Sequence, residues 1–190
     1  MGYKAFSFIA RNPTLSRRRF LTTCAGASLS LVAPPVLANI SSVSERRLAF
    51  HNTHTGESLR CTYWADGQYL ADALTEINHL LRDHRSGEVH PIAPALLDLV
   101  YRVNHAVGGR KPFEIVSGYR SPDTNARLRR KNAGVAKHSL HMSGKAMDIQ
   151  LPGCELKELR RAALALRAGG VGYYPTSGFI HVDVGRVRRW

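Results

Sequence analysis

The residue pattern predicts an α+β fold, a small and mostly antiparallel sheet flanked by helices. Three observations carry that expectation. Residues 47–51 and 58–64 alternate apolar and polar side chains about a Thr-Gly turn, as the strands of a hairpin do. Residues 68–81 and 91–107 instead repeat apolar residues at spacings of three and four, the period of a helix with one buried face. Beyond residue 110, short apolar runs mix with one more amphipathic stretch and end in a second hairpin, so strands and helices do not simply alternate.

In chain order, the hairpin comes first. Leu70, Ala73, Leu74, Ile77, Leu80 and Leu81 form the apolar face of the first helix. Leu96, Leu97, Val100, Val103 and Val107 form that of the second, which Gly108-Gly109 ends. Phe113–Ser117 reads as a short buried strand running into Ser117-Gly118-Tyr119-Arg120-Ser121-Pro122. Ser121 or Asp123 is placed to cap a further helix reaching about residue 132, with Pro122 in its first turn. A strand is expected at 146–151 and a helix at 155–167, with Leu156, Leu159, Ala163 and Leu166 on one face. Residues 171–174 and 179–184 form the second hairpin around Pro175-Thr176-Ser177-Gly178.

Residues 1–38 do not belong to this pattern. Lys4, Arg11, Arg17, Arg18 and Arg19 make a basic opening, and no acidic residue precedes Glu45. Ser16-Arg17-Arg18-Arg19-Phe20-Leu21 resembles the twin-arginine export motif, an apolar stretch follows from 20 to 32, and Val36-Leu37-Ala38 offers a small residue for signal peptidase. The apolar stretch is well short of the roughly 20 residues a membrane span needs, so a leader is expected, with an uncleaved anchor as the alternative. The organisation predicted is therefore a signal peptide at 1–38, a polar linker at 39–46 and a single domain at 47–190.

Export constrains the remaining readings. Five of the 27 basic residues lie in the leader, so the mature chain keeps 22 against 14 acidic residues and carries a net charge of +8. A cationic protein outside the cytoplasm meets anionic wall polymer and lipid headgroups, so peripheral membrane contact is a possible partner reading. Nucleic acid is disfavoured by export and by the scatter of Arg129, Arg130, Lys131, Arg160, Arg161, Arg186, Arg188 and Arg189, without interleaved aromatics. Most of these residues read as solvated faces. Cys24 falls in the leader, where Leu21-Thr22-Thr23 suits lipid attachment poorly. Cys61 and Cys154 are free to pair in an oxidising compartment, and the absence of a CxxC argues against thiolate-bound zinc.

The chemistry concentrates in two short runs. Ser139-Leu140-His141-Met142-Ser143-Gly144-Lys145-Ala146-Met147-Asp148 holds an imidazole and a carboxylate, and Phe179-Ile180-His181-Val182-Asp183 holds a second imidazole. His141 and Asp148 are seven residues apart, where two ligands on one helix need a spacing of three or four, but a turn at Gly144 can bring them together. His181 lies mid-strand, where a neighbouring strand can place it opposite Asp148. Two histidines and one carboxylate leave zinc an open fourth position, the arrangement of a catalytic site. The plainer reading is that these are ordinary polar residues among nine histidines. It is weakened by Asp148, a carboxylate between Met147 and Ile149 that needs a cation or several donors once buried.

These residues also carry a resemblance. Ser-x-His-x-x-Gly-x-Ala-x-Asp, complete from Ser139 to Asp148, resembles the zinc D,D-peptidase superfamily, which includes D-Ala-D-Ala carboxypeptidases, murein endopeptidases and the Hedgehog signalling domain. Ser117-Gly118-Tyr119-Arg120-Ser121 is similar to that superfamily's second motif, and Gly178-Phe179-Ile180-His181-Val182-Asp183 to its last. The closest branch is the exported MepK-type (YcbK-like) murein endopeptidases, and the likeness extends over essentially the whole mature chain. It implies a Hedgehog/D,D-peptidase-like fold, zinc held by His141, Asp148 and His181, and Arg120 steadying the substrate carbonyl or developing oxyanion. The plainer reading of Arg120 is a surface arginine after a turn. The function implied is zinc-dependent hydrolysis of peptide cross-links in peptidoglycan, D-Ala–meso-diaminopimelate or diaminopimelate–diaminopimelate, in the periplasm.

One departure from the superfamily stands out. Many members carry an acidic residue or histidine two or three positions before the last ligand as general base, where this chain has Phe179 and Gly178. Asp183 is the nearest carboxylate, as base or, preferably, as the acceptor that orients the His181 ring. His138 is a further candidate for proton transfer or substrate contact, or else an exposed loop histidine. A D-Ala-D-Ala carboxypeptidase, with Arg120 on the substrate carboxylate, and a non-catalytic zinc module that binds the wall are the rival readings.

Overall fold

β1 (Glu45–Asn52) and β2 (Ser58–Ala65) form the first hairpin. The computed structural model describes residues 44–190 except residue 133, so the leader expected at 1–38 and most of the linker lie outside the described residues. β1 begins at Glu45, inside the expected linker, because Glu45 and Arg46 still pair with Ala65 and Trp64 across a bulge at Arg46/Arg47. Gln68 and Tyr69, expected to begin the first helix, instead form β3 (Gln68–Tyr69) against the end of β2. α1 (Ala71–Leu80) therefore starts later.

α2 (Pro94–Ala106) leads through Gly108 to β4 (Phe113–Ser117). Ser121 caps α3 (Pro122–Lys131), its side chain accepting from the Thr124 N–H at 3.2 Å. A 3₁₀ turn at Leu140–Ser143 leads into β5 (Ala146–Gln150), followed by α4 (Leu156–Ala165). β6 (Gly170–Tyr174) and β7 (Phe179–Asp183) make the second hairpin, and β8 (Arg188–Arg189) adds a short edge.

Among the described residues these strands form one sheet in the order β3-β2-β1-β4-β5-β7-β6-β8. It is mostly antiparallel but mixed, since β1 runs parallel to β4 and β6 to β8. The fold is thus α+β as expected, on a larger and less uniform sheet. Side chains alternate across it. Met147 and Ile149 on β5, Ile180 and Val182 on β7 and Val171 on β6 join the apolar core that α1, α2 and α4 cover. Burying each such residue contributes about 1.5–3 kcal/mol. Ala146, Asp148, His181 and Asp183 alternate with these core residues and so turn to the other face. One polar hub ties the first three strands to α2: Asp98 accepts from Arg46 Nη1 at 2.7 Å, Tyr63 Oη at 2.9 Å and Tyr69 Oη at 2.7 Å.

Candidate metal centre

The register of β5 against β7 sets Asp148 directly opposite His181. His141 arrives from the 3₁₀ turn, which reverses at Gly144 with φ of +63°, a left-handed conformation that favours glycine. A Cβ at Gly144 would also collide with the Pro91 carbonyl oxygen. His141, Asp148 and His181 are all buried and form the cluster among the described residues that is fit to hold a metal ion.

Hydrogen bonds on the far side of each ring decide what the near side offers. His141 Nδ1 lies 2.7 Å from the Gly118 carbonyl oxygen, a pure acceptor, so Nδ1 carries the proton and Nε2 is bare. His181 Nε2 lies 3.1 Å from Asp183 Oδ2 and donates to that carboxylate, leaving Nδ1 bare. The two bare nitrogens are 3.2 Å apart, and Asp148 Oδ1 lies 2.9 Å from His181 Nδ1 and 3.3 Å from His141 Nε2. Three acceptors meet there without a donor. Such a triangle requires a cation, either a proton or a metal ion. Ligands about 2.0–2.1 Å from a tetrahedral zinc lie about 3.3–3.4 Å apart, so the observed edges fit a zinc ion to within a few tenths of an ångström.

The titration of the group agrees. Burial opposes a charged His181, but hydrogen bonds to Asp148 and Asp183 outweigh it and raise its pKa above the usual imidazole value. Burial likewise opposes the Asp148 carboxylate, yet His141 and His181 hold it well below the ordinary carboxylate range.

Asp183 is fully buried and lies behind the His181 ring. Its Oδ1 accepts from Gly170 N at 3.0 Å, Gly185 N at 2.8 Å and Arg188 Nη1 at 3.1 Å, and its Oδ2 from Arg188 Nη2 at 2.7 Å as well as from His181. With five donors on two oxygens, this geometry suits orienting a ring rather than accepting a proton from substrate. Arg120 follows β4, and its backbone N–H donates to the His141 carbonyl at 3.2 Å. Its Nη2 lies 3.3 Å from Ser117 Oγ and 3.7 Å from Asp148 Oδ2, while Nε has no partner among the described residues. Its Nη1 also donates to Asn125 Oδ1 at 3.5 Å, so this mostly buried guanidinium is held by long contacts that a ligand oxygen can replace. His138 is exposed on the loop beyond α3, at the lining of the same cleft.

That cleft has a volume of about 680 Å³, and Arg120, His141, Asp148, His181, Tyr174 and Trp190 all line it. Two of its features escaped sequence reasoning. Arg188, counted among solvated cations, neutralises the buried Asp183, and the demand of a strand carboxylate for a cation was the available signal. Trp190 reaches the site only through the pairing of β8 with β6, which no local pattern marks. Cys61 on β2 and Cys154 after β5 are free thiols rather than a pair. No helix among the described residues is long and apolar enough to cross a membrane.

Two imidazoles and one carboxylate at the floor of an open cleft, beside a guanidinium held by long contacts, are the donor set of a metal-dependent hydrolase with one coordination position open. Residues 40–190 match the family model described as peptidoglycan L,D-endopeptidase MepK, and the chain belongs to that family. It is 42% identical over 177 residues to the peptidoglycan L,D-endopeptidase MepK of Escherichia coli K12, covering 92% of this chain and 97% of that protein. A Haemophilus influenzae protein named "Probable peptidoglycan L,D-endopeptidase MepK" is 42% identical over 163 residues, 85% of this chain and 88% of the relative. No solved structure matches.

Proposed function

We propose that this chain is a zinc-dependent murein endopeptidase that hydrolyses peptide cross-links of peptidoglycan. The observation that carries the reading is the donorless triangle of His141 Nε2, Asp148 Oδ1 and His181 Nδ1 on the floor of the cleft. Zinc held by these three residues would supply Lewis acidity toward the scissile carbonyl and a water acidified to a pKa of about 7. Arg120 takes the role of donor to the carbonyl oxygen as negative charge develops on it. Asp183 keeps the His181 ring in the tautomer that presents Nδ1, and Arg188 holds Asp183 ionised. His138, at the rim, is the candidate for moving protons to and from the leaving amine.

Of the two bonds expected, the L,D designation of the relatives favours diaminopimelate–diaminopimelate cross-links, in which the carbonyl belongs to an L centre. D-Ala–diaminopimelate joins two D centres. The twin-arginine-like segment within 1–38 supports export to the periplasm, where this substrate lies. The superfamily likeness of the three motifs supports a Hedgehog/D,D-peptidase-like domain at 47–190.

The test is digestion of purified sacculi by zinc-loaded protein beside a His181→Ala control, with muropeptides resolved by mass. Loss of cross-linked dimers and gain of monomers in the active protein alone is the expected result. Loss of terminal D-Ala with dimers intact would make it a carboxypeptidase, and binding without any cleavage would make it a wall-binding module.

A further inference from the structure

The cleft has two unlike flanks. Sheet order places Ser117 and Arg120 at the β4 side, and Tyr174 and Trp190 at the β6–β8 side, with Asp148 and His181 between them. Trp190 is held from several directions. Its backbone N–H donates to the Val171 carbonyl at 3.3 Å, and its own carbonyl accepts from Tyr173 N at 3.0 Å. Its indole Nε1 donates to Tyr174 Oη at 2.8 Å, and the Arg188 guanidinium lies 4.9 Å from the ring centroid. The ring lies over Gly172, where a Cβ would come within 2.7 Å of indole Cε2. It sits 5.3 Å, centroid to centroid, from the imidazole of His181.

Despite these restraints, Trp190 stays 47% exposed, and it lines the cleft. Tyr174, itself 36% exposed, stacks on Phe179 at 4.7 Å and extends the same wall. A large ring ordered in advance, beside the reacting position and left open to water, gains its burial when something is laid on it. Main-chain pairing, the Tyr174 hydroxyl and Arg188 have already restrained the ring, so a ligand meets it at little further cost in side-chain freedom.

We infer that Trp190, seated on Gly172 and extended by Tyr174, is the platform on which the substrate peptide lies. It receives the amide plane and aliphatic side chain of a residue next to the scissile bond. The chemical class it fits is a short aliphatic peptide without aromatic groups of its own, whose methylenes and peptide planes pack on an indole face. This rests on the endopeptidase reading and deepens it. Arg120 addresses the carbonyl oxygen from one flank while the indole fixes the strand on the other.

Kinetics on soluble cross-linked muropeptide dimers test it, with the zinc-loaded protein and its Trp190→Ala and Trp190→Phe variants. The expected result is a KM raised about 5- to 10-fold in Trp190→Ala and less in Trp190→Phe, with kcat within about threefold and zinc affinity unchanged. A second readout needs no turnover. The chain has two tryptophans, so Trp64→Phe leaves Trp190 as the sole indole. Its emission should shift when dimers are titrated into chelator-treated protein. An unchanged KM in Trp190→Ala while the parent cleaves would overturn the platform. So would a joint fall in kcat and zinc affinity at constant KM, which would mean that the indole acts through His181. If the parent cleaves nothing but Trp190 emission still responds to dimers, the platform stands and the proposed reaction falls. If neither cleavage nor response occurs, both fall.

Discussion

Replacing Asp183 by asparagine changes little in shape and much in what the His181 ring experiences. An asparagine oxygen can still accept from the Gly170 and Gly185 amides, now at 3.0 and 2.8 Å from Asp183 Oδ1. Its NH₂ group, however, would face Arg188 Nη2 and His181 Nε2, which now donate to Oδ2 at 2.7 and 3.1 Å. Donor would meet donor on both sides. Losing the two charged contacts in a fully buried position should cost about 3 kcal/mol, with Arg188 recovering part of its loss in water because its side chain is 35% exposed. At about 2–4 °C per kcal/mol for a domain of this size, the metal-free variant should melt about 6–12 °C lower. The ring would also lose the acceptor that keeps Nδ1 bare, and zinc affinity should fall about 10- to 100-fold. Differential scanning calorimetry of chelator-treated protein reads the first effect, and competition against a chromophoric zinc chelator reads the second. Zinc affinity within twofold of the parent would refute the claim that Asp183 sets the His181 tautomer. A large melting change alone would then mark Asp183 as purely structural.

Three further outcomes follow from the same geometry. In metal-free protein, the raised pKa of His181 contributes stability that is complete below the unfolded value of about 6.5 and lost as pH rises through the folded one. Asp148 and Asp183, both lowered, contribute stability present above about pH 4 and lost as pH falls through their folded values. Melting temperature should therefore peak between about pH 4 and 6.5 and decline as pH rises above about 6.5, and zinc should abolish the alkaline decline; a profile unaffected by zinc would contradict the triangle. Arg120→Lys should fold normally yet lower kcat on muropeptide dimers by about 10²-fold or more, since a point charge cannot reproduce a guanidinium fork; near-parental turnover would remove Arg120 from the chemistry. Asp98→Ala should destabilise the fold by about 2–3 kcal/mol in urea unfolding, through the unpaired Tyr63 hydroxyl and Arg46, while zinc affinity stays unchanged.

α1, α2 and α4 were the most legible parts of this chain, because their apolar period is a local property of residues that face one core, whereas α3 was read from its cap. Their starts were less so: Gln68 and Tyr69 fit a helical pattern but pair with β2, a choice made by a partner strand rather than by their own spacing. The parallel pairing of β1 with β4 was likewise invisible, since it joins residues far apart in sequence. At the site, the pattern of His141, Gly144, Asp148 and His181 was readable because imidazole, carboxylate and a reversing glycine are types that metal chemistry demands. That Arg188 neutralises Asp183 and that Trp190 flanks His181 was not, because both depend on the two-residue strand β8.

The sequence by itself determined which atoms are able to bind a cation. Only the tertiary structure decided that their lone pairs converge on one point. His141 Nε2 is bare because Nδ1 donates to the carbonyl of Gly118, 23 residues earlier, and His181 Nδ1 is bare because Nε2 on the other side of its ring donates to Asp183 Oδ2. Ligand identity is carried by the residue type, whereas the direction of a lone pair is set by whatever the fold places behind it.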